Sequence, residues 1–162
     1  GSVVCACLEG NRPILVEVQA LVAKTPYGMP RRTAVGFDYN RVTMLLAILE
    51  RRLGMDFGAY DAYVNVVGGM RVTEPAADLA VAAALVSSYR NRPIPHGVLV
   101  MGEVGLTGEV RRIGSPERRI KDAMNLGFKR FVLPMGKLSL DEPCNGIVQV
   151  KTLEEALDKV FA

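Results

Sequence analysis

Apolar and polar positions alternate along the first part of the chain and then give way to helical spacing. Val3 to Leu8, Ile14 to Val22 and Thr33 to Phe37 read as strands, the first two joined by a Gly10-Asn11 hairpin turn. The span from Lys24 to Arg32 holds two prolines and Gly28 and reads as an exposed loop. Val42, Leu45, Leu46 and Leu49 share one helical face, predicting a helix from an Asn40 cap to about Arg52, ended by Gly54. Ala62 to Val67 is a buried strand closed by Gly68-Gly69. From Pro75 to Tyr89 the pattern is apolar nearly all round and rich in alanine, which places that helix inside the domain.

Val98 to Met101 is a further strand, and Leu106 to Arg111 makes a turn and an edge strand. Ser115 and Pro116 stand as cap and first residue of a third helix whose buried face carries Ile120, Ala123 and Met124. Arg130 to Leu133 and Ile147 to Val150 are the last strands, and Leu153 to Phe161 is the closing helix. Strands cluster first and later alternate with helices. The pattern therefore predicts an α+β fold, a mixed sheet with helices packed on it.

Composition bounds the chain without naming its chemistry. With 162 residues, 49% of them hydrophobic, residues 1–162 fit one domain with one core. No apolar run reaches the ~18 residues of a membrane span, and no basic-then-apolar leader is apparent. Three cysteines argue for a reducing compartment, and the expected location is the cytoplasm. Cys5, Cys7, His96 and Cys144 are zinc-ligand types, but Cys5 and Cys7 on a strand read as small buried hydrophobes, and no metal site is expected.

Charge changes the picture through its distribution. The net charge is only +3, yet Glu109 to Lys121 carries Arg111, Arg112, Arg118, Arg119 and Lys121 against Glu109 and Glu117. Lys24, Arg31, Arg32 and Arg41 form a second group in and beside the proline loop. Fourteen of the twenty basic residues are arginine, the side chain suited to bidentate phosphate or carboxylate contact. Three readings stay open: contact with DNA phosphates, pairing with a neighbouring subunit, or a solvated helix face with Arg118–Asp122 and Glu117–Lys121 pairs. Few aromatics accompany the arginines, which favours duplex backbone contact over base stacking.

Two motifs carry the strongest signal. Thr73-Glu74-Pro75-Ala76-Ala77-Asp78 opens the alanine-rich helix, and Met101-Gly102-Glu103-Val104-Gly105-Leu106-Thr107-Gly108-Glu109-Val110 precedes Gly114-Ser115-Pro116-Glu117-Arg118-Arg119. Their order and spacing resemble the proteolytic domain of Lon-type Ser–Lys peptidases. The resemblance puts the nucleophile position on Ala76, the base position on Arg119, and Met101 where that family has a hydroxyl residue. Alanine has no atom that attacks a carbonyl, and Arg stays protonated in proteins, so the dyad is degenerate and no peptidase activity is expected.

A narrower resemblance covers nearly the whole chain. Pro30 to Val42, Leu45 to Glu50, Val64 to Gly69, Thr73 to Ala80 and Ser88 to Pro93 are similar to the C-terminal Lon-like domain of the bacterial RadA (Sms) recombination family. That resemblance implies an ATP-driven, ring-forming (hexameric) protein that processes recombination intermediates by branch migration. It also implies a zinc ribbon and a RecA-like ATPase core elsewhere, using Zn, ATP and Mg. This chain has no Cys-x-x-Cys pair, and Glu109 stands where a phosphate loop running from Gly102 to Gly108 would need Lys.

The candidate DNA contacts are thus Arg111, Arg112, Arg118, Arg119, Lys121, Arg31, Arg32 and Arg41. Arg119 is also a candidate for a structural ion pair with Asp78, in the first turn of its helix. The preferred function is a non-proteolytic scaffold that assembles a ring and offers a basic surface to duplex DNA. Its alternatives are a pure oligomerisation module, or a residual hydrolase with Ser115 or Thr107 as nucleophile.

Overall fold

The computed structural model describes residues 1–162 and shows an α+β fold built on one mixed sheet. Strands β1 (Ser2–Glu9), β2 (Arg12–Lys24), β3 (Arg32–Val35) and β4 (Tyr60–Val66) meet β5 (Val98–Val100), β8 (Arg130–Pro134) and β9 (Ile147–Val150) in the order β3-β4-β2-β1-β5-β8-β9. Strands β6 (Glu103–Val104) and β7 (Val110–Arg111) form a separate hairpin. The helices are α1 (Tyr39–Leu53), α2 (Asp78–Arg90), α3 (Pro116–Asn125) and α4 (Leu153–Phe161).

Gly10-Asn11 is the two-residue turn of an antiparallel β1–β2 hairpin, with Glu9 opposite Arg12. The same register puts Cys5 beside Val16 and Val3 beside Val18, so their side chains share the buried face. Glu17, Gln19 and Leu21 alternate onto the other face, where Leu21 is 56% exposed. The strands β5, β8 and β9 run parallel to one another, and every residue of β5 is buried, as expected of strands covered on both sides.

Helix α2 lies across β1 and β2, with α1 on its β3 side and α4 on its β8–β9 side. Leu79 to Val86 are all completely buried, as the all-round apolar pattern requires. The helix itself begins at Asp78, because Pro75–Ala77 forms a single 3₁₀ turn ahead of it. Helix α1 is capped by Asp38 rather than Asn40: the Asp38 backbone is extended and its carboxylate accepts the Asn40 amide. The third strand stops at Val35 because Gly36 turns with φ +82°, and a methyl group there would stand 2.5 Å from Met70 O.

Helix α3 packs on β1 and β2 and forms the crossover between β5 and β8. Ser115 occupies its cap position in a left-handed conformation and makes no capping bond. The expected pairs on its surface also do not form. Arg118 donates to Asn11 O at 2.6 Å in the β1–β2 turn, and Glu117 accepts from Ser139 N at 3.4 Å.

Candidate functional site

The two motifs converge on the middle of β1. Ala76 is buried at the mouth of α2, and its carbonyl accepts the Gly102 amide at 2.8 Å, while Gly102 O accepts the Leu79 amide at 3.0 Å. The segment after β5 is thereby tied to the start of α2. Cys5 Sγ lies 3.8 Å from the same Ala76 carbonyl and 3.8 Å from Cys7 Sγ. The hydrogen bond with Cys7 and complete burial push the Cys5 thiol well above its ordinary pKa.

Arg119 is 1% exposed and bound on three sides. Its Nε donates to Gly114 O at 2.8 Å, and Nη1 donates to Ala6 O at 2.9 Å. Nη1 and Nη2 also hold the two oxygens of Glu74, at 2.5 and 3.0 Å. Glu74 in turn accepts the Leu8 amide at 2.7 Å. A guanidinium with those partners is a structural cation that faces the strand rather than solvent.

The expected Asp78–Arg119 pair is therefore corrected. Asp78 is completely buried and is held instead by Arg41, whose Nε donates to Oδ1 at 2.8 Å and whose Nη2 reaches Oδ2. The Val104 amide donates to the same Oδ2 at 3.1 Å. Burial pushes the Asp78 carboxyl up, outweighing the pull of Arg41 and the Val104 amide downward. Spacing along α2 and α3 suggested Asp78, but Pro75 starts a 3₁₀ turn that leaves Glu74, not Asp78, facing β1.

The eight cations expected to meet DNA separate into two sets. Arg119 is excluded by burial. Arg41 is spent on Asp78, and Arg32 donates to the main-chain carbonyls of Tyr60 and Phe57, at 2.5 and 2.9 Å. Those three are structural. Arg31, Arg111, Arg112, Arg118 and Lys121 are exposed. Arg111 is partly neutralised by Glu109 at 2.9 Å and Glu103 at 3.6 Å, and Lys121 shares a groove with Asp141 and Glu142.

The β6–β7 turn is organised by Glu109. Its Oε1 accepts the Thr107 hydroxyl at 2.6 Å and the Thr107 amide at 3.2 Å, while Oε2 holds Arg111. The Thr107 hydroxyl and the Arg111 guanidinium hold the Glu109 carboxyl down at about 2. The carboxylate sits directly beneath Gly105, where a phosphate loop would need open space. This stretch is no phosphate cradle. The Thr107 hydroxyl donates to the Glu109 carboxylate, which at a pKa of about 2 is a weak base, and the Ser115 side chain makes no capping bond.

The family model described as subunit ChlI of Mg-chelatase matches residues 18–137. Proteins named DNA repair protein RadA match nearly the full length of the chain. The one from Pseudomonas aeruginosa is 51% identical over 162 residues, 99% of this chain and 36% of that protein. Those from Bacillus subtilis and Streptococcus pneumoniae are 47% and 44% identical, over 97% and 100% of this chain and 35% and 39% of theirs.

The chain belongs to the family of that model, subunit ChlI of Mg-chelatase, and is similar over nearly its whole length to proteins named DNA repair protein RadA. It spans about a third of the length of the curated relatives it matches. No helix of the chain is long and apolar enough to cross a membrane. Two residues of the site were missed from sequence. Glu74 lies inside the first motif and, four residues before Asp78, had a carboxylate to offer. Arg52 packs its stem beside Gly108 at the β6–β7 turn, a proximity only the fold creates.

Proposed function

We propose that this chain is a non-proteolytic, Lon-type domain of a RadA-type DNA repair protein, serving as ring scaffold and as a basic surface for duplex DNA. The observation that carries the reading is the commitment of Arg119 to Glu74 and to the β1 backbone beside Ala76. A site with no nucleophile and a permanently charged, fully bonded base position supports structure rather than peptide hydrolysis. The relatives' name, DNA repair protein RadA, supplies the context. By the resemblance, the whole protein is an ATP-driven hexameric ring that works on recombination intermediates by branch migration in the cytoplasm. Its zinc ribbon and RecA-like core, with their Zn, ATP and Mg, belong outside residues 1–162.

Backbone contact falls to the exposed cations Arg31, Arg111, Arg112, Arg118 and Lys121, whose charges need no base-specific geometry. Fluorescence anisotropy of labelled duplex and single-stranded DNA across a salt series tests this. Salt-sensitive duplex binding supports the reading. A flat response from an assembled ring leaves the domain as scaffold alone.

Pure oligomerisation is favoured by one observation. Tyr27 and Met29, 89% and 87% exposed, project from a proline loop that Asp61 pins by accepting from Thr25 Oγ1 at 3.0 Å and Arg31 N at 2.7 Å. Light scattering of Tyr27→Ser/Met29→Ser separates the two: loss of assembly with DNA binding absent throughout selects the oligomerisation module.

A further inference from the structure

Arg112 and Lys137 line one cavity of about 220 Å³, and neither takes part in an ion pair within the molecule. Two separate parts of the chain bring them together. Arg112 follows Arg111 at the end of β7, so strand alternation turns it away from the carboxylates that hold Arg111. Its guanidinium lies against Gly136, where a methyl group would stand 3.4 Å from Nε. Lys137 is the next residue, in the turn that follows β8.

That turn is held firmly. Gln149 Nε2 on β9 donates to Gly136 O at 2.7 Å and to Pro134 O at 3.4 Å, and the Met135 amide donates to Val150 O at 3.1 Å. The Gly136 and Lys137 amides donate to no main-chain carbonyl. Ile113 and Leu133 contribute apolar wall, and Glu117 also lines the cavity, its carboxylate accepting the Ser139 amide at 3.4 Å. The cavity opens at the carboxyl ends of the parallel strands β8 and β9, where open sheets with helical crossovers bind ligands.

Unpaired cations beside free amides on a pinned turn match the chemistry of a phosphate group. The volume falls below the roughly 300 Å³ at which pockets for whole small molecules begin, so it suits a single phosphate better than a nucleotide. We propose that this cavity binds one phosphate of a DNA backbone through Arg112 and Lys137. The inference rests on the DNA-contact reading and narrows it to one place, using a lysine that lies outside the arginine-rich stretch.

The test is an amide-resolved NMR titration of the chain with inorganic phosphate, run beside duplex anisotropy across salt. The variants are Arg112→Ala/Lys137→Ala and a charge-matched control, Lys129→Ala/Lys159→Ala, each first shown to keep the dispersed spectrum of the folded chain. Phosphate is expected to shift Gly136 and Lys137, and the shifts to vanish in the first variant only. The slope of log affinity against log salt is expected to shrink by about 1 for a single lost phosphate contact.

Duplex binding with an unchanged slope in the first variant overturns the cavity and leaves DNA contact to other cations. A wild type that binds no duplex at low salt sinks the DNA reading, and the phosphate titration then decides alone. Shifts at Gly136 and Lys137 that the variant abolishes retain the site for a free phosphate. Their absence overturns it.

Discussion

Arg119 and Glu74 together act as a substitute neighbour strand for β1. The β1–β5 pairing is registered only at Val4 opposite Leu99, after which β5 turns away at Met101-Gly102. The next two groups on that edge, Ala6 O and Leu8 N, are met by Arg119 Nη1 at 2.9 Å and Glu74 Oε1 at 2.7 Å. One ion pair thus satisfies a donor and an acceptor that an interrupted sheet would otherwise leave buried and unpaired.

Removing one partner should therefore cost more than removing both. Glu74→Ala leaves a 1%-exposed guanidinium without its counter-charge, and a loss of about 3–5 kcal/mol is expected. Arg119→Lys should also destabilise, because an ammonium cannot reproduce the fork across Glu74 and Ala6. Urea unfolding of Glu74→Gln, of Arg119→Met and of the double variant Glu74→Gln/Arg119→Met measures the coupling. Additive losses in the double variant would contradict the coupling.

Installing a Ser–Lys pair at positions 76 and 119 should not create proteolysis. In Ala76→Ser/Arg119→Lys the new ammonium remains beside the Glu74 carboxylate, which favours its protonated form and denies the serine a base. A fluorescent casein assay on the folded double variant is expected to read zero. Turnover above the Ala76→Ser single variant would show that the site keeps a working cleft.

Arg41→Ala should expose the cost of burying Asp78. The carboxylate keeps the Val104 amide but loses its only cationic partner, and its pKa, already raised by burial, should rise further. A native pKa above the unfolded one means the contribution is fullest at low pH and is lost as pH rises through the native value. The variant is thus expected to lose about 3 kcal/mol at pH 7 and measurably less near pH 4. Denaturation midpoints at the two pH values decide it.

Glu109 should titrate far below an ordinary glutamate. Its pKa of about 2 lies below the unfolded value, so the stability contributed by its bonds to Thr107 and Arg111 is full above about 4.3 and is lost as pH falls through about 2. Carboxyl carbon shifts followed by NMR should place the midpoint near 2, and Thr107→Ala should raise it. Gly105→Ala should raise it as well, since the added methyl would sit 2.3 Å from the carboxylate and drive it out. A midpoint near 4 in the unaltered chain would show that the turn is not closed in solution.

Periodicity made most elements legible, because alternation and helical spacing record which side of an element is buried. The Gly10-Asn11 turn, the all-apolar α2, and the strands at Arg130 and Ile147 follow from that alone. Boundaries set by local backbone geometry were less legible. Asp38 displaced Asn40 as cap, and Gly36 ended β3 early, because each depends on dihedral angles that composition does not display. Ala76 and Arg119 were readable as residues, but only the Lon-type resemblance makes them dyad positions.

What the linear pattern could not assign was the partner of each charge. Sequence by itself determined that the chain has an α+β core and an excess of arginine in one stretch. Only the tertiary structure decided that Arg119 belongs to Glu74 and Arg41 to Asp78, and that Arg112 and Lys137 line one cavity. The reason is physical. Hydrophobic burial depends on each residue's own side of an element, whereas an ion pair requires two side chains from distant segments to reach one point.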